Sequence, residues 1–162
     1  MTAIPVSVEV QILQLPIALY HRSAEHHDEL RREFALLRGG QAGGQRGVPD
    51  RLTEVMAGLE ARFGAVSAGP EADIAAAAEA GSEVVDLTYH VPIEARDAVE
   101  ELGRLLDEAD EFCRQGDHLL TLAAPPEILA FRRWFLRQFL SQLDGGGPSP
   151  WQATGAGSST GA

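Results

Sequence analysis

The sequence predicts a mainly α-helical domain of about five helices with a small two-stranded sheet, α+β at most. Three observations support this prediction. Apolar residues recur at helical spacing in several segments, two short segments have the pattern or composition of strands, and stretches rich in glycine and proline separate them. Strands and helices do not alternate regularly enough for a doubly wound fold.

Two segments are predicted to be strands. In residues 6–14, VSVEVQILQ, valine and isoleucine alternate with polar residues, as in a half-buried strand. Residues 83–91, EVVDLTYHV, are rich in β-branched residues and lie between Gly81 and Pro92. We expect the two segments to pair, because pairing would cover an edge of each.

Five segments are predicted to be helices from their apolar spacing and their terminal residues. They cover residues 18–37, 49–64, 71–80, 93–114 and 125–143. The glycine-rich stretch 38–47 is predicted to be a flexible loop. Nucleotide binding is not expected there, since the stretch lacks both the lysine and serine or threonine that end a phosphate-binding loop and a strand before it. Residues 118–123, HLLTLA, suit either a third strand or a connection packed on the core.

The domain organisation is predicted to be simple. A single globular domain spans residues 1–144, and a tail rich in glycine, serine and proline spans residues 145–162, with disorder expected beyond about Trp151. The first residues resemble no secretory signal, and no apolar run is long enough to cross a bilayer. A single cysteine, Cys113, excludes an internal disulfide and fits a reducing compartment, so we expect a cytoplasmic protein.

The negative charge is concentrated in one part of the chain. The formal net charge is −11, and residues 71–111 alone hold 13 acidic residues against two arginines. Such a segment repels nucleic acid and anionic membranes, so neither is expected as a partner, whereas a basic protein would be attracted. The alternative is a solvated acidic face that only keeps the protein soluble.

The stretch YHRSAEHHDE, residues 20–29, is the densest cluster of residues with chemical potential. On the predicted helix, His21, Glu25 and Asp28 share an exposed face, while His26 and His27 lie on either side of the buried stripe. The carboxylates also favour the N-terminal half of a helix, so the cluster is explained without a ligand.

A metal site is the alternative interpretation of this cluster. Its candidate ligands are His21, Glu25, His26 and His27. The spacing matches neither a zinc-protease motif nor a dinuclear helical-bundle motif, so a further ligand, His90 or His118, would have to come from another element. We therefore predict no cofactor, with a helical metalloprotein or metalloenzyme as the second hypothesis.

Other catalytic arrangements find little support. Cys113 lies on the apolar stripe of its helix, where a thiol is usually inert, and its grouping with Asp117 and His118 would require the chain to fold back. The carboxylates of residues 107–111 are predicted to lie on a solvated helix face, which does not raise carboxyl pKa values for acid or base catalysis. The protein is therefore expected to be non-enzymatic.

The segment FRRWFLRQF, residues 131–139, suggests contact with another surface. Its aromatic and basic side chains surround the helix, so it is either the central helix of the domain or part of a protein interface. The candidate interface residues are Arg132, Arg133, Trp134 and Arg137, together with Asp107, Glu108 and Glu111 of the acidic helix. A homodimer formed through the aromatic helix is a further option.

Three segments resemble a group of largely uncharacterised actinobacterial proteins: EHHDELRREFALL, LLDEADEFCRQGDHLLTLAAPPEILAFRRWFLRQF and PSPW. The resemblance covers most of residues 15–151. It implies a role beside anti-sigma kinases and their antagonists, in a partner-switching circuit that controls a sigma factor. The chain has no asparagine for the ATP box of the kinase and lacks the phosphorylatable serine motif of the antagonist. We therefore expect an accessory regulator that acts by protein–protein contact.

Overall fold

The computed structural model of the chain describes residues 4–39, 48–115 and 124–152. Within these ranges there are two strands and five helices: β1 (Ser7–Pro16), α1 (Ile17–Gly39), α2 (Val48–Phe63), α3 (Ala68–Glu79), β2 (Val84–Pro92), α4 (Arg96–Gln115) and α5 (Pro126–Leu143). The predicted mainly helical fold with a two-stranded sheet is confirmed. The alternatives predicted for residues 118–123, and most of the loop predicted at 38–47, lie outside the described residues.

The two strands pair, as predicted, and the structure shows that their orientation is antiparallel. The face of the sheet that is turned to the helices is buried, and the opposite face is exposed along β2 at Asp86, Thr88 and His90. A bulge in β1 places Leu13 and Gln14 opposite Asp86. The backbone N–H of Gln14, which has a φ of 55°, donates to the Asp86 carboxylate over 2.8 Å.

The core has two parts that meet along α5. One part lies between the sheet, α3 and α5, and the other lies between α1, α2 and α4. α5 packs against β1, α1 and α4, and eight of its residues are buried: Ile128, Phe131, Arg132, Trp134, Gln138, Phe139, Gln142 and Leu143. Because α5 packs against the sheet and two other helices, it is the central helix of the domain, which was one of the two options for its aromatic and basic segment.

The beginning of the predicted tail is part of the packed domain. The indole of Trp151 makes edge contacts with the rings of Phe131 and Trp134, with centroids 5.8 and 5.4 Å apart. Trp134 Nε1 donates to the Ser149 carbonyl, and the backbone N–H of Ser149 donates to Gln138 Oε1. A tryptophan buries a large apolar area, and this area favours docking over solvation. Ser149 and Trp151 of the predicted tail therefore contact α5, and Gln152 beyond them is exposed.

Candidate interaction surface

The acidic helix α4 is largely neutralised by arginines. Glu108 forms an ion pair with Arg104, and Glu111 forms one with Arg114. Other acidic side chains of α4 are paired with arginines that come from elsewhere in the chain, such as Glu101 with Arg51 of α2. The arginines of α4 itself form several of these ion pairs, and folding brings further arginines from α2 and α5 to the helix.

Arg132 connects α5 to α4 through two carboxylates. Its Nη2 atom lies 2.6 Å from Asp110 Oδ2 and 2.9 Å from Asp107 Oδ1, and the side chains of Arg132 and Asp110 are each 3% exposed. The other oxygen of Asp110 accepts a hydrogen bond from the backbone N–H of Ala124. The prediction that Asp110 faces solvent was wrong, because α5 and the chain before it cover that side of α4. A buried arginine with two carboxylate partners is a structural residue rather than part of a free surface.

The other candidate interface residues of α5 differ in exposure. Trp134 is buried and holds the docked tail through its indole N–H. Arg133 is exposed and lies 3.4 Å from Asp107, whereas Arg137 is exposed and forms no ion pair with the described residues. The aromatic side of α5 thus contacts its own chain, and of the four residues predicted there only Arg133 and Arg137 remain accessible to a partner.

The histidine cluster divides as the helical geometry predicts. His21 and Glu25 are exposed on α1, and His26 is buried. The described residues contain no group of three or more histidine, cysteine, aspartate or glutamate side chains that could hold a metal ion. His90 lies on the exposed face of the sheet, and His118 is outside the described ranges. The proposed metal ligands on α1 therefore acquire no further ligand within the described part of the chain.

His27 borders a small cavity between α1, α2 and α4. The cavity is lined mainly by apolar side chains, including Leu30, Leu52 and Leu106. Burial, together with the positive charge of Arg132, lowers the pKa of His27 to about 4, so this imidazole is neutral near pH 7. The cavity has a volume of about 10 Å³, which is the space of a single water molecule, so it cannot admit an organic substrate.

Cys113 is part of the core between α1, α2 and α4, as its position on the apolar stripe predicts. Burial raises the pKa of its thiol to about 11, and the neighbouring Asp110 and Glu33 add to this effect. The thiolate is the reactive form of cysteine, so the environment suppresses nucleophilic chemistry. Asp117 and His118, the other members of the grouping considered from the sequence, lie outside the described residues.

The unpaired negative charge lies on a different surface. Six exposed carboxylates occur between residues 71 and 94, on α3, on β2 and on the segments that adjoin β2. We call this set the acidic surface: Glu71, Asp73, Glu79, Glu83, Asp86 and Glu94. No arginine occurs between residues 63 and 95, and none of the six carboxylates forms an ion pair with any residue that the structure describes. Within the described residues, the single charged block of the sequence is therefore divided into a part on α4 that forms ion pairs and a part on α3, on β2 and beside β2 that forms none.

Comparison with models of protein families, with curated proteins and with solved structures finds no match for the chain. Across the residues that the structure describes, none of the helices combines the length and the apolar character needed to span a bilayer.

Proposed function

We propose that this protein is a cytoplasmic, non-enzymatic regulator that acts by binding a basic partner protein through the acidic surface. The observation that carries the proposal is the contrast between two acidic regions of one chain. The carboxylates of α4 have arginine partners, whereas the six carboxylates of the acidic surface have none among the described residues. Uncompensated charge in one region of a protein attracts a partner of opposite charge and accelerates its association.

The chemistry of the described groups supports a binding role rather than catalysis. Asp110 and Arg132 neutralise each other inside the domain. The Cys113 thiol has a raised pKa, and the cavity beside His27 is too small for a substrate. The groups that most resemble catalytic residues are thus engaged in packing or in structural ion pairs.

The resemblance in the sequence suggests which partners to test first. It links the chain to partner-switching circuits, so we propose that the partner is an anti-sigma kinase or its antagonist. In such a circuit, an accessory protein that occupies a basic surface of one component would change how much of that component is free to bind the other. This would be regulation by competition for a surface, and it requires no reaction.

A pair of variants with the same net charge tests the proposal. In the first variant, the changes Glu71→Gln, Asp73→Asn, Glu79→Gln and Glu83→Gln neutralise four carboxylates of the acidic surface. In the matched control, Asp97→Asn, Glu100→Gln, Glu108→Gln and Glu111→Gln neutralise four carboxylates that form ion pairs on α4. Each variant, like the wild type, is immobilised and exposed to an extract of the native host and, separately, to the purified kinase and antagonist.

We expect the wild type and the control variant to retain the same protein, and the acidic-surface variant to lose it. Because both variants lose four negative charges, a difference between them reports the position of the carboxylates and not the total charge. Equal retention by both variants, or no protein retained by the wild type, would contradict the proposal. Retention of the kinase or the antagonist would identify the circuit, and retention of another basic protein would keep the mode of action but change the pathway.

A further inference from the structure

The chain closes one edge of its two-stranded sheet with its own residues. The backbone N–H of Gln11 donates to Gln142 Oε1, and Gln142 Nε2 donates to the Gln11 carbonyl, each over 2.8 Å. The carbonyl of Leu13, two residues after Gln11 on β1, accepts a hydrogen bond from the backbone N–H of Trp151. The side chain of Gln142 thus replaces a neighbouring strand, and the docked tail extends the cover along β1.

These bonds determine which backbone groups of β2 are free. Gln11 uses its N–H and its carbonyl on the side away from β2, so the pair that it forms with Thr88 is a non-hydrogen-bonded pair of the antiparallel ladder. The backbone groups of Thr88 must then point away from β1 as well. The alternation of the ladder extends this orientation to His90, which is paired with Glu9.

The outer edge of β2 has no cover equivalent to that of β1. The backbone groups of Thr88 and His90 form no hydrogen bond with another element among the described residues, and both residues are exposed. Open edges attract additional strands, and proteins usually cover or disrupt them. Among the described residues, one edge of the sheet is thus covered by Gln142 and by the docked tail, whereas the outer edge of β2 has no such cover.

We infer that the outer edge of β2 binds an extended basic segment of the partner protein, which adds to the sheet as a third strand. This inference rests on the proposed function and specifies its geometry. Strand addition provides affinity through main-chain hydrogen bonds, and the side chains of the added strand provide specificity. With a rise of about 3.4 Å per residue, the open stretch 86–90 offers roughly 14 Å, enough for about five residues of the partner.

The charges near the outer edge of β2 favour a basic segment as the added strand. Asp86 lies on the open stretch, Glu83 precedes β2, and the carboxylates of α3 belong to a helix that packs against β2. A basic segment gains from all of these charges. A second copy of the chain would instead bring six like charges to the same edge, and the chain's own residues 153–162 contain no basic residue. A basic segment of a different protein is therefore the occupant that complements this edge.

Peptides with a modified backbone test strand addition separately from charge attraction. The probe is an acetylated and amidated heptapeptide, Arg-Val-Arg-Val-Arg-Val-Arg, titrated into the full-length chain by calorimetry and by amide NMR. Two derivatives have the same charge but are N-methylated either at the valines or at the inner arginines. In a strand, these two sets of N–H groups point to opposite edges, so one derivative blocks pairing with β2 and the other leaves it intact.

We expect one N-methylated derivative to bind at least tenfold more weakly than the parent peptide and the other to bind about as well. The amide signals of Thr88 and His90 should shift, and their exchange with solvent should be fast in the free protein and slower on binding. On the protein side, Thr88→Pro removes the outward N–H and should weaken binding at least tenfold, whereas the matched change Thr88→Ala retains the N–H and the affinity.

Three results would overturn the inference. Equal binding of both derivatives, with no slowing of exchange at the Thr88 and His90 amides, would show that only charge attracts the peptide, which leaves the acidic surface as a binding site but removes strand addition. No binding of the parent peptide at low salt would remove the open edge as a docking site, while the capture experiment would still decide the proposed function. A concentration-dependent dimer that Thr88→Pro dissociates would assign the edge to a second copy. The peptide derivatives leave the protein unchanged, so the test holds even if the proline variant does not fold.

Discussion

Replacing Arg132 with methionine is expected to reduce the free energy of unfolding by about 3 to 5 kcal/mol, the usual range for breaking a buried ion pair. The change leaves the carboxylate of Asp110, which is 3% exposed, with the backbone N–H of Ala124 as its remaining hydrogen-bond partner. It also removes the 2.9 Å contact between Arg132 and Asp107. A domain of this size is typically stable by about 5 to 15 kcal/mol, so the loss is large but the variant can remain folded.

The neighbouring residue supplies the control for this prediction. Arg133 contacts the same Asp107 oxygen at 3.4 Å, but its side chain is 52% exposed, so Arg133→Met should cost less than about 0.5 kcal/mol. Urea unfolding at pH 7, followed by circular dichroism, measures both changes. The double change Asp110→Leu and Arg132→Met should recover much of the loss, because it removes both buried charges. Similar costs for the two single arginine variants would refute the structural role of Arg132 and return it to the candidate interface.

Three further predictions concern the tail, a histidine and the cysteine. Ending the chain at Asp144 removes Trp151 and the Ser149 carbonyl to which Trp134 donates, so the emission of Trp134 should shift to longer wavelength and stability should fall by about 2 kcal/mol; an unchanged emission spectrum would mean that the tail does not cover this indole. The pKa of His27 is 6.5 in the unfolded chain and about 4 in the folded protein, so protonation of this imidazole favours unfolding. The free energy of unfolding should therefore be independent of His27 above pH 6.5 and should decrease as the pH falls towards 4, by about 2 kcal/mol at pH 5. Unfolding of the wild type and His27→Gln between pH 5 and 7.5 should show this loss in the wild type alone, and parallel pH profiles would contradict it. With a pKa of about 11, the Cys113 thiol should react with a disulfide reagent at pH 8 about 200-fold more slowly in the native protein than in urea, and a comparable native rate would show that it is accessible and ionised.

The sequence determines the helices and strands well because each has a local signal. The alternation in residues 6–14 and the β-branched residues of 83–91 are sufficient to locate β1 and β2 within a few residues. The glycine and proline residues mark most of the ends. The division of the histidine cluster into an exposed and a buried group also follows from helical geometry alone, since the position of Leu30 identifies the buried stripe.

The contacts across elements could not be predicted in the same way. Gln142 is polar and near the end of a helix, so its sequence context suggests exposure, yet it lies beside β1 and completes the sheet. Asp110 resembles its acidic neighbours in sequence and differs only because Arg132 faces it. Trp151 follows a run of glycine and proline residues that suggests disorder, and its aromatic partners are 17 and 20 residues earlier in the chain.

The charge pattern illustrates this limit most clearly. In the sequence, residues 71–111 form one acidic block with two arginines. In the structure, the arginines of α4 itself and arginines from α2 and α5 pair with the α4 part of that block, whereas the other part forms no ion pair with the described residues. The charge pattern along the sequence therefore indicates that an acidic region exists, but only the packing of the helices shows which carboxylates remain to attract a partner.

The most direct test of this account is the affinity of the captured partner for the two equal-charge variants. Neutralising four carboxylates changes the net charge from −11 to −7 in both. At roughly 0.5 kcal/mol for each carboxylate, the acidic-surface variant should bind the partner about 30-fold more weakly than the wild type. The variant with neutralised α4 carboxylates should bind within about threefold of the wild type. Equal affinities of the two variants would contradict the claim that the partner binds the unpaired carboxylates of α3 and β2.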